Sequence, residues 1–311
     1  MTVLHRLQDL AQFTEPVVLA FGVFDGVHLG HQAVLKSAAT LADGALVVVF
    51  TFHPHPARLL RPESAPKLLC SPPHELELLR RTGVDAVLRC PFDLALAQLE
   101  AEVFLEQIRQ HCPTLKGMCV GEDWRFGKGR AGDVALLKDW GQRHEIVIHG
   151  VAQFAEGGEA VSSTRIRQAV SGGGLAEAAR LLGRPYGVFG TVVAGRQLAR
   201  TLGFPTANLA VENEQLPPAG VYVVQVRVAD QSLARGVANL GRRPTVTPDE
   251  QELNLEVHLL DFSADLYGQA LEVEFLHRLR DEQTFPGLDA LKAQIAADVE
   301  AARLWWTQHP A

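Results

Sequence analysis

The stretch Gly22–His31, GVFDGVHLGH, decides the fold, because it lies where an apolar run ends and a helical pattern begins. Residues Pro16–Phe24 are apolar and rich in β-forming side chains, whereas Gln32–Ala42 suit a helix. The glycines and histidines between them therefore occupy a strand-to-helix turn. Backbone N–H groups at the start of such a helix favour anions.

His28 and His31 stand three residues apart in this turn. Imidazole N–H groups can donate to phosphoryl oxygens and stabilise charge that grows on a pentavalent phosphorus. Glycines let phosphates approach the main chain closely. The pattern therefore indicates a triphosphate site, although a turn with merely solvated histidines would show the same H-x-G-H letters.

A second motif, Ser162–Arg167 or SSTRIR, follows an acidic, glycine-containing loop and opens another helical run. Ser163 or Thr164 would serve as an ordinary helix cap. A cap does not explain Arg165 and Arg167 in the first turn, where the helix dipole disfavours cations. An anionic ligand would explain them, so we interpret the motif as a phosphate site.

The first half alternates β-like runs with helical patterns, which predicts a parallel sheet flanked by helices. The β-like runs are Val17–Phe24, Ala45–Phe52, Ala86–Leu88, Met118–Val120 and Ile146–Val151, and the helical patterns are Gln32–Leu41, Pro73–Thr82, Ala101–His111 and Asp133–Arg143. Ligands of open α/β sheets bind beyond the carboxyl ends of the strands. We therefore expect His28, Asp123 and the corner Pro54–Pro56 to converge on one crevice.

The second half alternates apolar and polar residues with period two, which is typical of half-buried antiparallel strands. The runs are Gly187–Ala194, Val224–Val228, Ala234–Leu240, Leu253–Leu259 and Leu271–Leu279, and a helix is predicted from Gly287 to about His309. These strands suffice for a small closed barrel. We place the boundary near Gly183–Tyr186, which gives domains 1–183 and 184–311, and interpret Gly172–Gly174 as a helix cap and hinge.

The composition is that of a globular protein, with 311 residues, 47% hydrophobic and 21% charged. A net charge of −7 disfavours a nucleic-acid-binding surface. No apolar run approaches the length of a membrane span, and the four cysteines lack the spacing of a zinc site or a secreted disulfide framework. We expect a cytoplasmic protein without nucleic-acid or membrane partners, and the oligomeric state stays open.

The two motifs together resemble the H-x-G-H and S-S-T-x-x-R signatures of the nucleotidyltransferase superfamily. Further segments in both halves resemble the bacterial bifunctional riboflavin kinase/FMN adenylyltransferase family. They are Thr51–Pro56, Val120–Gly127, Leu202–Asn208, Gly220–Tyr222, Asn239–Thr245, Leu255–Phe262 and Leu266–Gly268. The resemblance implies a Rossmann-like nucleotidyltransferase domain followed by a riboflavin kinase β-barrel, acting on ATP, riboflavin and FMN.

For the second half, the resemblance implies that the riboflavin 5′-hydroxyl attacks the γ-phosphate of ATP to give FMN. Glu256 matches the family's essential carboxylate and is our candidate general base, while a solvated surface glutamate is the alternative. Thr206 and Asn208 match positions that bind Mg²⁺ and the nucleotide, or they are plain turn residues. Arg280 resembles a flavin-contacting residue, with a surface salt bridge as the alternative.

For the first half, the resemblance implies that FMN attacks the α-phosphate of a second ATP, giving FAD and pyrophosphate. His28 and His31 would stabilise the transition state, with Mg²⁺ shielding the phosphate oxygens. Ser163, Thr164 and Arg167 would hold the leaving phosphates, and Arg167 is counted with the catalytic residues.

The remaining first-half candidates surround the two substrates. Gly22, Phe24 and Asp25 are candidates for ATP binding, with turn capping an equal alternative for Asp25. Four residues are candidates for the FMN pocket, where core packing is the alternative for the aromatic ones: Asp123, Trp124, Phe126 and Arg130.

Two interpretations compete with a bifunctional enzyme. A nucleotidyltransferase for another phosphorylated acceptor, or a chain with only one working half, would not need Glu256 together with His28 and His31. A flavin-binding regulator without catalysis would be expected to lose the histidines or Glu256. His53 and His55 suggest a metal pair, but the intervening proline and the lack of a nearby carboxylate favour a shaped loop.

Overall fold

The computed structural model describes residues 1–194, 202–228, 232–244 and 251–310, without side chains for 242–244 and 251–253. Thr245, at the end of the Asn239–Thr245 motif, lies outside these residues. The chain forms two compact units. The first comprises Met1–Lys67 and Glu75–Ser163, and the second comprises Leu68–His74 and Thr164–Ala311.

The first unit is built on a six-stranded sheet in which every pairing is parallel, in the order β1-β4-β3-β2-β5-β6. The strands are β1 Thr2–Leu4, β2 Val17–Phe21, β3 Leu46–His53, β4 Ala86–Pro91, β5 Leu115–Gly121 and β6 Val147–Val151, and a hairpin follows with β7 Ala155–Glu156 and β8 Glu159–Ala160. The predicted parallel sheet is confirmed. Strand β1 was not predicted, because three residues carry too little pattern.

The longer α-helices fall where the helical periodicity predicts them, whereas the short helices Pro56–Leu60 and Leu94–Ala97 were not predicted. The described α-helices are α1 Leu29–Ala42, α2 Pro56–Leu60, α3 Pro72–Arg81, α4 Leu94–Ala97, α5 Ala101–His111, α6 Val134–Arg143, α7 Ser163–Ser171, α8 Leu175–Leu182 and α9 Leu288–Gln308. Among the residues that the structure describes, no helix is both long and apolar enough to cross a lipid bilayer. The four cysteines are buried and form no disulfide.

One face of the sheet carries a large apolar core that supports the carboxyl ends of the strands. Phe21 and Phe50 stack at 4.5 Å between ring centroids, and Phe104 meets Phe50 edge to face. Leu88 and Trp140 belong to the same buried cluster. This packing fixes the positions of the carboxyl ends of β2, β3 and β4, from which the loops of the site begin.

The second unit is a closed antiparallel barrel with strand order β10-β13-β12-β11-β14-β9, which confirms the predicted fold. Its strands are β9 Tyr186–Val193, β10 Ala207–Val211, β11 Gly220–Arg227, β12 Leu233–Pro244, β13 Gln251–Leu259 and β14 Ala270–Arg280. Leu255 and Val257 are buried, and Glu256 between them points to the other face. Helix α9 packs against the barrel through Val299 and Trp306.

A strap from the first half of the sequence, Leu68–His74, belongs to the second unit. The backbone oxygen of Leu69 accepts hydrogen bonds from Tyr186 Oη at 3.0 Å and Asn213 Nδ2 at 2.7 Å. The buried His74 Nε2 lies 2.9 Å from Glu272 Oε1. The compact units therefore do not follow a single cut in the chain, and the domain limits 1–183 and 184–311 stay a prediction.

Candidate active sites

The two histidines of the Gly22–His31 turn stack on each other at the start of α1. His28 is the N-cap, and its Nδ1 accepts the backbone N–H of His31 at 3.3 Å. The two rings are nearly parallel, with centroids 3.6 Å apart. A Cβ on Gly30 would lie 3.1 Å from the His28 ring, so this packing favours glycine there.

The rest of the turn is buried and linked to the second phosphate motif. Phe24 is buried with its ring centroid 5.1 Å from that of His31, and Asp25 is also buried. Ser163 Oγ donates a hydrogen bond to the backbone oxygen of Asp25 at 3.0 Å. Ser163 begins α7, the helix that carries Thr164 and Arg167.

The two arginines of the second motif do not have the same role. Arg165 donates through Nε and Nη2 to Glu177 Oε1 at 3.1 and 3.0 Å. This ion pair accounts for a cation in the first turn of α7 without any ligand. The sequence argument from two arginines is therefore weaker for Arg165, and the anion interpretation, which stays a prediction, rests mainly on Arg167.

A cavity of about 740 Å³ opens at the loops that follow β3 and β5. The predicted corner contributes His55 and Pro56 to the lining, and the histidine turn contributes Val23. The segment after β5 contributes Asp123, Trp124, Phe126 and Arg130. Trp124 and Phe126 stack at 4.4 Å between ring centroids. The corner and the Asp123 segment thus converge as predicted, whereas His28 is not part of the cavity lining.

The histidines of the corner have structural surroundings. His55 Nδ1 accepts the Ala57 backbone N–H at 3.1 Å and caps α2. Burial, followed by the charges of Arg89 and Arg58, lowers the pKa of His53. No group of three metal-type ligands occurs among the described residues.

In the barrel, Glu256 lies at the centre of a polar row. It pairs in register with Asn208 on β10 and Asn239 on β12, so the three side chains share one face. Asn254 Nδ2 donates to Glu256 Oε1 at 2.9 Å. Sequence reasoning did not single out Asn254 or Asn239, although alternation along β13 already places Asn254 on the face of Glu256.

Thr206 lines a cavity of about 480 Å³ together with Ala207, Val257 and Tyr267, whereas Glu256 and Asn208 are not part of its lining. The turn that carries Thr206 is held by His258, whose Nδ1 lies 2.8 Å from the backbone oxygen of Pro205. The Thr206 hydroxyl and the Asn208 amide provide hard oxygen donors of the kind that Mg²⁺ prefers. The residues present therefore fit this ion.

Arg280 is engaged within the protein. Its Nε and Nη2 donate to the two carboxylate oxygens of Asp298 on α9 at 2.9 and 2.8 Å, and its guanidinium lies 5.8 Å from the Phe285 ring. The salt bridge that was the alternative is thus present. A flavin contact by Arg280 stays a prediction.

Both halves of the chain match sequence profiles. The profile of FAD synthetase matches residues 10–165, and that of riboflavin kinase matches residues 182–306. The chain is 42% identical over 302 residues to the bifunctional riboflavin kinase/FMN adenylyltransferase of Escherichia coli strain K12, covering 96% of this chain and 95% of that one. The Haemophilus influenzae protein of the same name is 38% identical over 308 residues, covering 98% of this chain and 99% of that one.

One solved structure is similar over the whole chain. The crystal structure of a protein named macrolide-efflux protein, from Streptococcus pneumoniae, superposes with a TM-score of 0.84 at 32% sequence identity. The match covers 97% of this chain and 99% of that one.

Proposed function

The chain belongs to the bifunctional riboflavin kinase/FMN adenylyltransferase family, and from this premise we propose which of its residues carry each reaction. It is an enzyme with two transferase activities, which phosphorylates riboflavin to FMN and adenylylates FMN to FAD. The observation that carries our assignment is that each compact unit has its own polar site. One has the stacked pair His28 and His31, and the other has the row around Glu256.

In the barrel, Glu256 takes the proton from the riboflavin 5′-hydroxyl as that oxygen attacks the γ-phosphorus of ATP. The bond from this phosphorus to the β,γ-bridging oxygen breaks, and ADP leaves. Asn254 supports the assignment, because its hydrogen bond fixes the orientation of the carboxylate. The nucleotide binds next to Thr206, whose hydroxyl lies within reach of the phosphates in this assignment.

Thr206 and Asn208 would hold Mg²⁺ in this half. The ion, when bound, neutralises charge on the phosphate oxygens. Asn208 is buried and pairs in register with Glu256 on the neighbouring strand. The proposed Mg²⁺ ligand and the candidate base are therefore held by adjacent strands. This arrangement orients the γ-phosphate relative to the carboxylate.

In the first half of the sequence, a phosphate oxygen of FMN attacks the α-phosphorus of ATP, and pyrophosphate leaves. His28 and His31 stabilise the charge that develops on the phosphoryl oxygens, helped by the backbone N–H groups at the start of α1. Ser163, Thr164 and Arg167 hold the leaving phosphates. A phosphate nucleophile is already ionised, so no separate base is required.

The cavity of about 740 Å³ is the proposed flavin pocket of this unit. Trp124 and Phe126 offer a stacked aromatic face to the isoalloxazine ring, while Asp123 and Arg130 provide polar contacts at its edge. Gly22, Phe24 and Asp25 shape the ATP side of the turn. We keep 1–183 and 184–311 as the proposed domains of the two activities.

The test is chromatography of flavins after incubation with ATP and Mg²⁺, with either riboflavin or FMN as acceptor. FAD from both incubations is the expected result. FMN but no FAD from riboflavin, with no FAD from FMN, would overturn the assignment of the His28 half. FAD from FMN alone would overturn that of the Glu256 half.

A further inference from the structure

A pair of polar side chains, Thr51 and Arg89, lies at the carboxyl edge of the first-unit sheet. The two residues are direct partners on β3 and β4. The preceding row of the sheet contains Phe21 and Phe50, so Thr51 and Arg89 stand one row beyond the last residue of β2, level with Gly22. Neither was singled out from the sequence, where an arginine inside the apolar run of β4 was the available signal.

Alternation along the strands places both side chains on the face opposite the large core. Their neighbours Phe50 and Leu88 belong to that core, so Thr51 and Arg89 point away from it. This edge of an open α/β sheet is where ligands bind. It is also where the turn with His28 and His31 begins.

The donors of this pair have no hydrogen-bond partner among the described residues. Thr51 is 1% exposed and its Oγ1 is unpaired, and the buried Nε and Nη2 of Arg89 are unpaired as well. Nε and Nη2 form the edge of a guanidinium that binds two oxygens at once. In this chain the same edge of Arg280 is filled by the two oxygens of Asp298.

One carboxyl group that interacts electrostatically with Arg89 is Glu75, and it does not fill that edge. Burial, and after it the charge of Asp25, raise the pKa of Glu75 to about 7, and Arg89 acts in the opposite direction. Glu75 is thus partly protonated near neutral pH and makes a poor permanent counterion. A partly buried guanidinium whose bidentate edge is buried and open is suited to an oxyanion with two accessible oxygens.

In the proposed adenylyl transfer, the phosphate of the acceptor is the one anionic group to which no residue has yet been assigned. His28 and His31 serve the α-phosphate, and the second motif serves the leaving phosphates. The acceptor's own phosphate must also reach the edge of the sheet beside the histidines, and it carries the nucleophilic oxygen. A bidentate contact would fix two of its oxygens and leave the third to attack.

We propose that Arg89 and Thr51 form the binding site for the phosphate of the acceptor in the adenylyl transfer. The proposal rests on the proposed function of the first unit. It makes Arg89 the residue that distinguishes a phosphorylated flavin from riboflavin there. The alternative ligand for these two residues is a phosphate of ATP, and the experiment distinguishes it from the phosphate of FMN.

The experiment uses the full chain and measures initial rates of FAD formation from FMN and ATP. In Arg89→Met we expect the KM for FMN to rise about tenfold or more, because a charge-assisted bidentate contact is lost, and the KM for ATP to stay within about twofold. Arg89→Lys should recover part of the loss. Thr51→Val, which is nearly isosteric, should raise the KM for FMN about threefold.

Arg109→Met is the matched control, because Arg109 is exposed and pairs only with Glu106 among the described residues. FMN formation from riboflavin reports on the second unit and should not change in any variant. If Arg89→Met does not fold, Arg89→Lys and Thr51→Val decide the outcome.

A rise in the KM for ATP alone would assign the site to ATP and overturn the proposal. Unchanged KM values in folded variants would overturn it too, since Arg89 would then have only a structural role. Absence of FAD with the wild-type chain would count against the proposed function instead. Titrations of FMN and riboflavin, followed by flavin fluorescence, would then test Arg89 directly: the proposal requires Arg89→Met to weaken FMN binding and not riboflavin binding.

Discussion

Asn254 donates a hydrogen bond from its Nδ2 to Oε1 of Glu256 at 2.9 Å, along one face of the same barrel strand. The bond restrains one oxygen of the carboxylate. Asn208 and Asn239, the register partners of Glu256, lie on the same face of the barrel. Asn254 is a positioning residue in this arrangement.

Asn254→Ala should lower kcat for FMN formation by about three- to tenfold, since one orienting hydrogen bond is lost. The KM for riboflavin should change less than about twofold, because binding contacts remain. Initial rates with riboflavin, ATP and Mg²⁺ measure both constants, and FAD formation from FMN in the same preparation is the internal control. An unchanged kcat would show that Asn254 does not position the base.

The separation of the two sites gives a second prediction. His28→Ala should reduce FAD formation by about a hundredfold or more, because a group that stabilises phosphoryl charge is lost. It should leave FMN formation from riboflavin intact. Glu256→Ala should do the reverse when FMN is supplied.

Flavin chromatography with each acceptor measures both activities, and circular dichroism checks that the variants fold. Loss of both activities in either folded variant would contradict two independent sites.

The alternation of patterns predicted both folds, because the periods of the parallel sheet and of the antiparallel barrel extend over many residues. It also placed His28 and Asp123 after the carboxyl ends of strands, and Glu256 on the polar face of its strand, as the structure has them. Contacts between distant residues carry no such signal. Arg165 looked like a ligand residue because its partner Glu177 lies on the next helix.

The same limit applies to buried polar groups. Arg89 and Thr51 are paired across two strands, and nothing in either run of sequence shows that their donors are buried without a partner. Leu68–His74 likewise belongs to the first half of the sequence, yet its partners lie on barrel strands more than a hundred residues later. Only the folded chain brings such groups together.

The raised pKa of Glu75, about 7 against an ordinary 4.5, predicts a pH dependence of stability. The folded chain binds this proton more tightly than the unfolded chain. The stabilisation is therefore fully present below pH 4.5 and is lost as the pH rises through about 7. As the pH rises from 5 to 8, the free energy of unfolding of the wild type should fall by about 1 to 2 kcal/mol more than that of Glu75→Gln. This expected difference is smaller than the full pKa shift would give, because Glu75 is partly in contact with solvent.

Urea unfolding at both pH values measures this difference. Glu77→Gln is the matched control on the same helix, because Arg80 lowers the pKa of Glu77 and its contribution has the opposite sign. Equal pH dependence in the wild type and Glu75→Gln would contradict the prediction.

Because the strap Leu68–His74 contacts the barrel, we expect the stability of the second unit to depend on His74, a residue from the first half of the sequence. His74 is 1% exposed and lies against Glu272, which is also buried, and its ring stacks on Phe189. His74→Ala should lower the free energy of unfolding of the second unit by about 2 to 4 kcal/mol, because a buried carboxylate loses a partner and a cavity is left. Arg227, whose Nε lies 3.4 Å from Glu272 Oε2, limits the loss.

His74→Gln keeps a hydrogen-bond donor near Glu272 and should recover part of this stability, which separates the lost contact from the lost volume. The free energy is measured by urea unfolding with riboflavin kinase activity as the probe of the second unit. A His74→Ala chain as stable as the wild type would mean that the strap merely lies on the barrel. A loss that His74→Gln does not reduce at all would assign the effect to packing on Phe189 alone.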